Sequence, residues 1–257
     1  MSKIIAVANQ KGGVGKTTTN VNLSACLAMA GKKVLTIDID PQGNTTSGLG
    51  VDKDKVDKSI YDVLINDISI SDAVVHTSIE NLDIVVSNMQ LAGAEIELVS
   101  MMAREMVLKR ALQGIRDDYD YILIDCPPSL GLITINALTA SDKILVPIQC
   151  EYYALEGLSQ LVNTVNLVRK HLNPTLEVEG VVLTMFDART NLSIQVVEEV
   201  KRYFKNKVYR TIIPRNVKLG EAPSHGLPVV LYDPKCVGAQ AYTELAREII
   251  QYETEAV

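Results

Sequence analysis

Short apolar runs rich in Ile, Val and Leu recur along the chain, and most are followed by a longer stretch whose apolar positions fall three or four apart. Runs of the first kind read as buried strands, and stretches of the second as helices packed on one face. The pattern predicts strands at 4–8, 34–37, 82–86, 121–125, 143–148, 178–185 and 208–213. It predicts a helix opening near residue 16, with apolar Val21, Leu23, Ala25, Leu27 and Ala28. Further helices are expected at 91–115 with a break near Ser100, and at 132–138, 155–171, 192–204 and 238–252. Residues 51–80 are polar, with charges at Asp52, Lys53, Asp54, Lys55, Asp57 and Lys58, and read as a surface excursion with short helices at 59–65 and 71–75. Strands alternating with helices predict an α/β fold, a single doubly wound, mostly parallel β-sheet with helices on both faces. No repeat, low-complexity tract or linker divides the 257 residues, so one domain is expected over 1–257.

The turn between the first strand and the first helix carries the most specific chemistry. Residues 9–18 read Asn-Gln-Lys-Gly-Gly-Val-Gly-Lys-Thr-Thr. Strand, glycine-rich turn and helix is the context a phosphate-binding loop requires. Gly12, Gly13 and Gly15 let the backbone curl, so that N–H groups from Gly13 through Val14 to Thr18 converge on one anion. The helix start adds its own free N–H groups and the positive end of its dipole. Lys16 can reach the β- and γ-phosphates of a nucleotide, and the Thr17 hydroxyl can ligate Mg2+. The usual loop has Gly five residues before the Gly-Lys pair. This chain has Gln10 there, and a second lysine, Lys11, follows it.

Two strand ends supply carboxylates. The strand at 34–37 leads into Asp38-Ile39-Asp40-Pro41-Gln42-Gly43-Asn44. Alternation puts Asp38 and Asp40 on one side of the chain, at the end of a parallel sheet where ligands bind. A carboxylate there holds a metal-bound water or orients an attacking one; Asp40 is the candidate, a local turn cap is the competing reading, and the role of Asp38 stays open. The strand at 121–125 ends in Asp125, followed by Cys-Pro-Pro, which stops the strand. An apolar strand ending in Asp, downstream of a phosphate loop, is the pattern of a carboxylate that binds Mg2+.

Composition narrows the class further. Hydrophobic content of 47% and charged content of 22% are ordinary for a globular protein. No apolar run approaches the ~20 residues that span a bilayer. The chain enters a strand directly after Met1-Ser2-Lys3, which leaves no room for a signal peptide, so a cytoplasmic location is expected. Cys26, Cys126, Cys150 and Cys236 lack metal-type spacing and read as free thiols. A net charge of −6 excludes a protein that coats nucleic acid with its whole surface. Charge is uneven, however. Lys201, Arg202, Lys205, Lys207, Arg210, Arg215 and Lys218 form a run with no acid, carrying +7 and leaving −13 on the remainder. Clustered cations suit phosphate backbones, and a solvated helix and turn is the competing reading.

The loop with its extra lysine resembles the deviant Walker A loop of the ParA/MinD class. From residue 9 to 228 the chain is similar, motif by motif, to the ParA/Soj family of chromosome-partition ATPases. Lys-Gly-Gly-Val-Gly-Lys-Thr-Thr, Asp-Ile-Asp-Pro-Gln-Gly-Asn, Asp-Cys-Pro-Pro-Ser, Ile-Pro-Arg-Asn and Glu-Ala-Pro-Ser stand in the family's order. It looks like the short chromosomal form, because no helix-turn-helix is expected before the first strand.

The resemblance implies ATP hydrolysis with ATP and Mg2+ as ligands. It implies an ATP-sandwich homodimer in which Lys11 crosses to the partner's phosphates, with Asp40 linked to hydrolysis. Pro214, Asn216 and, less directly, Arg215 would lie by the adenine. Arg189 and Lys218 would contact double-stranded DNA non-specifically, with Lys201 and Arg202 as further cations of the basic run. Lys at 218 keeps the charge of an Arg without its fork geometry. A ParB-type centromere-binding protein would stimulate hydrolysis, and the protein would associate with the nucleoid. Some members also influence replication initiation or transcription, and the cargo, chromosome or plasmid, stays open.

Three other readings compete. A MinD-like membrane-associated positioning ATPase needs a basic amphipathic C-terminal helix, and residues 251–257 are acidic and short. A relative of the nitrogenase iron protein needs two placed cysteines, and that ligand pattern is absent. A tyrosine kinase of the same loop class needs a tyrosine cluster in the tail, which holds only Tyr252.

Overall fold

Ile4, Ala6 and Ala8 of the first strand pack into one apolar core, and Ile5 and Val7 pack into a second on the other side. Strands apolar on both faces need cover on both faces, which favours a parallel sheet with helical layers. The computed structural model describes residues 2–152 and 158–255. Its strands are β1 (Lys3–Val7), β2 (Val34–Asp38), β3 (Val74–His76), β4 (Leu82–Val85), β5 (Tyr121–Asp125), β6 (Lys143–Gln149), β7 (Glu177–Phe186) and β8 (Val208–Pro214). They form one sheet in the order β3-β4-β2-β5-β1-β6-β7-β8, parallel except for β3. This is the doubly wound, mostly parallel sheet expected from the alternation of strands and helices.

The helices are α1 (Lys16–Met29), α2 (Asn44–Gly48), α3 (Ile60–Ile65), α4 (Leu91–Leu98), α5 (Val107–Leu112), α6 (Leu132–Ala140), α7 (Leu158–His171), α8 (Asn191–Phe204), α9 (Val217–Glu221), α10 (Val229–Tyr232) and α11 (Val237–Glu255). Helices α3 to α8 cover the first core, and α1, α10 and α11 cover the second. Helix α1 is buried nearly all round, polar residues included. Several of those residues are bonded internally, as burial favours, although Asn20 Oδ1 and Ser24 Oγ find no partner among the described residues. Asn20 Nδ2 donates to Thr36 Oγ1 at 2.6 Å, tying α1 to β2. Asn22 Oδ1 accepts from the Val229 N–H at 2.6 Å, while its Nδ2 donates to the Thr18 carbonyl at 2.7 Å.

Some elements depart from the sequence pattern. The helix expected at 71–75 is instead a 3-10 turn at Ile70–Ala73 running into β3. The β-branched Val74 and Val75 find an open edge and pair antiparallel with Val85 and Ile84. The stretch 91–115 is broken more deeply than one break at Ser100, because Ala103 adopts φ 52° between α4 and a 3-10 turn at Arg104–Met106. Helices α2, α9 and α10 are too short for periodicity to reveal. Of the helix expected at 155–171, residues 155–157 lie outside the described residues. Among the described residues no helix is long and apolar enough to cross a membrane.

Asn22→Ala leaves the buried Val229 N–H without its acceptor. Urea unfolding without nucleotide is expected to show a loss of about 1–3 kcal/mol.

Candidate active site

The phosphate loop connects the carboxyl end of β1 to α1, between the ends of β5 and β6. Its curl depends on Gly13 at φ 72° and Gly15 at φ 87°, in the left-handed region that a side chain resists. Gly15 caps α1 without any side-chain bond, so the first N–H groups of the helix remain available to a ligand. The loop is tied down from both flanks. Asn9 Nδ2 donates to the Pro147 carbonyl at 2.8 Å, and its Oδ1 accepts from the Lys11 N–H at 3.1 Å. Thr184 Oγ1, on β7, donates to the Val14 carbonyl at 2.8 Å.

The two lysines of the loop are in different circumstances. Lys16 is buried, and its ammonium donates back to the Lys11 carbonyl at 3.1 Å. Burial lowers its pKa, and the nearby Asp125 carboxylate opposes that shift. Lys11 is half-buried, and its ammonium has no hydrogen bond or ion pair among the described residues.

Asp125 is fully buried at the end of β5. Its Oδ2 accepts from Thr17 Oγ1 and from Thr45 Oγ1, each at 2.8 Å, while Oδ1 is buried with no partner. Asp38 lies directly beside it in the β2–β5 register. Burial, reinforced at Asp125 by the Asp38 charge, pushes both carboxyls above their ordinary range. Asp38 is fully employed: it accepts from Thr46 N at 2.9 Å, Thr46 Oγ1 at 2.8 Å and Asp40 N at 3.2 Å. Its role is therefore to shape the turn that presents Asp40. Asp40 is half-buried, and its Oδ1 accepts from the Gln42 N–H at 3.0 Å.

These groups fit Mg2+. The Thr17 hydroxyl donates its hydrogen bond to Asp125, which leaves its oxygen lone pairs free, and Asp125 Oδ1 is a carboxyl oxygen with no partner among the described residues, whose charged form a cation would favour. Hydroxyl and carboxylate oxygens are the hard donors this ion takes, with one or two carboxylates beside substrate phosphates. Thr45, Thr46 and Thr184 carried no signal in the sequence, because each acts only once distant segments meet.

On the other side of the loop, Gly15, Thr18, Thr184, Pro214, Asn216 and Tyr242 line a largely apolar cavity of about 220 Å³. It is a suitable place for a flat base. Asn216 Oδ1 caps α9 by accepting from Lys218 N at 2.9 Å, which leaves its amide N–H groups to donate. Arg215 also lines the cavity, but its guanidinium donates to Glu151 Oε1 at 2.9 Å. The base side and the phosphate side meet at a contact between Gly50, just beyond α2, and Gly226. A Cβ on either would lie 2.8 Å from the other's backbone.

The basic residues do not gather in one place. Arg189, Arg215 and Lys218 follow β7 and β8, at the carboxyl edge of the sheet beside the loop. Lys201 and Arg202 are exposed on the last turn of α8, and Lys205 and Lys207 follow them at the start of β8. Seven residues of strand separate the two groups by about 20 Å, so the run divides between opposite edges of the sheet.

The family model described as an AAA domain matches residues 2–178. The chain is 65% identical over 249 residues to the sporulation initiation inhibitor protein Soj of Bacillus subtilis, covering 97% of this chain and 98% of that one. It is 52% identical over 254 residues to the chromosome partitioning protein ParA of Myxococcus xanthus, covering 99% and 90%. Among solved structures, cobyrinic acid a,c-diamide synthase from Mycobacterium smegmatis, with a bound ATP analogue and magnesium, superposes with a TM-score of 0.88. That match is at 38% identity over 100% of this chain and 98% of the other.

Thr184→Val removes the hydroxyl that holds Val14 and strands a buried carbonyl. Titration with a fluorescent ATP analogue is expected to show about tenfold weaker binding, with Thr184→Ser restoring it.

Proposed function

The chain belongs to the ParA/Soj family of chromosome-partitioning ATPases, and on that premise we propose that it is an ATP-driven switch that grips DNA as a dimer and lets go on hydrolysis. As a member of that family it hydrolyses ATP and uses Mg2+. The N–H groups of Gly13, Val14, Gly15, Lys16, Thr17 and Thr18 cradle the phosphates, and Lys16 turns from the Lys11 carbonyl to a phosphate oxygen. Mg2+ held by Thr17 and Asp125, with Asp40 acting through water, would shield the charge of the β- and γ-phosphates. Asp40 orients the water that attacks the γ-phosphorus in line. The bond from that phosphorus to the bridging oxygen breaks, leaving ADP and phosphate. Pro214 and Asn216, with Arg215 beside them, hold the base.

The observation that carries the dimer reading is Lys11. Among the described residues its ammonium has no partner, while its own carbonyl engages the buried Lys16. A half-buried cation so placed at the head of the loop is suited to a phosphate presented by a second copy. Two copies then present Arg189 and Lys218 twice, which couples DNA affinity to the nucleotide by multivalency. A ParB-type protein stimulates hydrolysis, and the protein works in the cytoplasm on the nucleoid.

The test is a DNA-retention assay with ADP, ATP and a slowly hydrolysed analogue at two salt concentrations. Retention with ATP and the analogue only, lost at the higher salt, is expected; equal retention with ADP would overturn the reading. ATP-dependent pelleting with liposomes in place of DNA retention would point to the membrane-positioning class. Lys11→Ala is expected to abolish dimerisation in light scattering while ATP binding persists. Asp40→Ala is expected to cut phosphate release by about 100-fold and leave the dimer trapped on DNA.

A further inference from the structure

Each cation at the carboxyl edge of β7 and β8 has a carboxylate of its own. The Arg189 fork is closed on Asp187, with Nε donating to Oδ1 at 2.9 Å and Nη2 to Oδ2 at 2.6 Å. Lys218 Nζ donates to Glu221 Oε2 at 2.9 Å, and the Tyr232 hydroxyl donates to the same oxygen at 3.1 Å. The Lys218 ammonium also lies 5.5 Å from the centre of the Tyr232 ring. Arg215 is paired with Glu151 but lines the nucleotide cavity as well, so it does not report on DNA alone. The Arg189 side chain is 86% exposed, so the pair faces solvent rather than a packed interior.

Asp187 takes the Nε side of the Arg189 fork, which leaves a phosphate only the Nη1 end, and it neutralises the charge that would draw the phosphate in. Whichever end the phosphate takes, the Asp187 carboxylate lies beside it and repels it. Asp187 is held below the usual carboxylate range by its bonds from Arg189, and Glu221 is lowered by Lys218, so both anions are present at neutral pH. Exposed pairs of this kind are weak, so they cannot seal the surface; they can only set how tightly DNA is held.

We propose that Asp187 and Glu221 are affinity-setting residues of the DNA face, each neutralising in its own chain a cation that a DNA phosphate would meet and occupying part of its donors. The inference rests on the assignment of Arg189 and Lys218 to DNA. A single copy, with its cations partly neutralised, holds DNA more weakly, and the two faces of a dimer recover affinity by acting together. The carboxylates thus weaken binding, and removing one strengthens it.

The test compares wild type, Asp187→Asn, Glu221→Gln, Arg189→Glu and the Asp187→Asn, Arg189→Ala double variant. Each is loaded with the slowly hydrolysed analogue and titrated with double-stranded DNA over a range of salt. Asn at 187 keeps the oxygen that the Arg189 backbone N–H uses at 3.0 Å, so the turn has its acceptor. Asp187→Asn is expected to bind about two- to five-fold tighter per protomer, the factor being squared when a dimer engages both faces. Its plot of log affinity against log salt should steepen by about 0.9 per protomer. The gain should vanish when Arg189 is absent, which a merely structural effect would not do. Unchanged or weaker binding by Asp187→Asn at a wild-type melting temperature, with binding lost in Arg189→Glu, overturns the inference and leaves the DNA face standing. Wild-type binding by Arg189→Glu overturns the DNA face and the inference with it. If Asp187→Asn melts early, Glu221→Gln decides by the same criteria.

Discussion

Two threonine hydroxyls converge on one oxygen of a buried carboxylate, and the layout of the catalytic centre follows from that convergence. Thr17 comes from the phosphate loop and Thr45 from α2, so Asp125 registers the loop, the end of β5 and the turn after β2 against one another. The arrangement is costly by itself. A charge buried beside a second buried carboxylate, with one oxygen unanswered, is stable only if it protonates or meets a cation. The carboxyl edge is therefore suited to a divalent ion and the phosphates that accompany it. The rest of the site holds this feature in place: β7 pins the loop through Thr184, and Asp38 spends both oxygens on the turn that presents Asp40.

How much of this was readable in the chain depends on distance along it. The loop, the strand-end carboxylates and the central strands were legible because their signals are local: glycines at fixed offsets, apolar runs and the residue that ends each run. Strand β3 was not, because Val74 and Val75 become a strand only by meeting the free edge of β4. Thr45 and Thr184 were not, because a threonine gains meaning from what it touches, and their partners are 80 and 170 residues away. The basic run misled in the opposite direction. It is continuous in sequence, yet β8 carries its two ends to opposite edges of the sheet.

Chain order also explains why the loop and the apolar cavity beside it draw on such separate segments. The loop follows β1 at the middle of the sheet, whereas Pro214 ends β8 at its margin and Asn216 follows it. Only β6 and β7 intervene, and the right-handed twist of a parallel sheet turns their ends into the floor of a cleft. Tyr242 of α11 closes that cleft from below and meets Thr19 of α1 through its hydroxyl, so the helix that crosses the back of the sheet also lines the base cavity.

The meeting of Gly50 with Gly226 has a mechanical meaning. Most contacts inside a protein have slack, because a side chain can rotate and absorb a small displacement. Here peptide rests on peptide, with nothing between them that can swivel. The joint behaves as a bearing rather than a spring. A side chain at either position would have to prise the turn after β2 away from the segment after α9, so the spacing of these two segments is fixed by backbone alone.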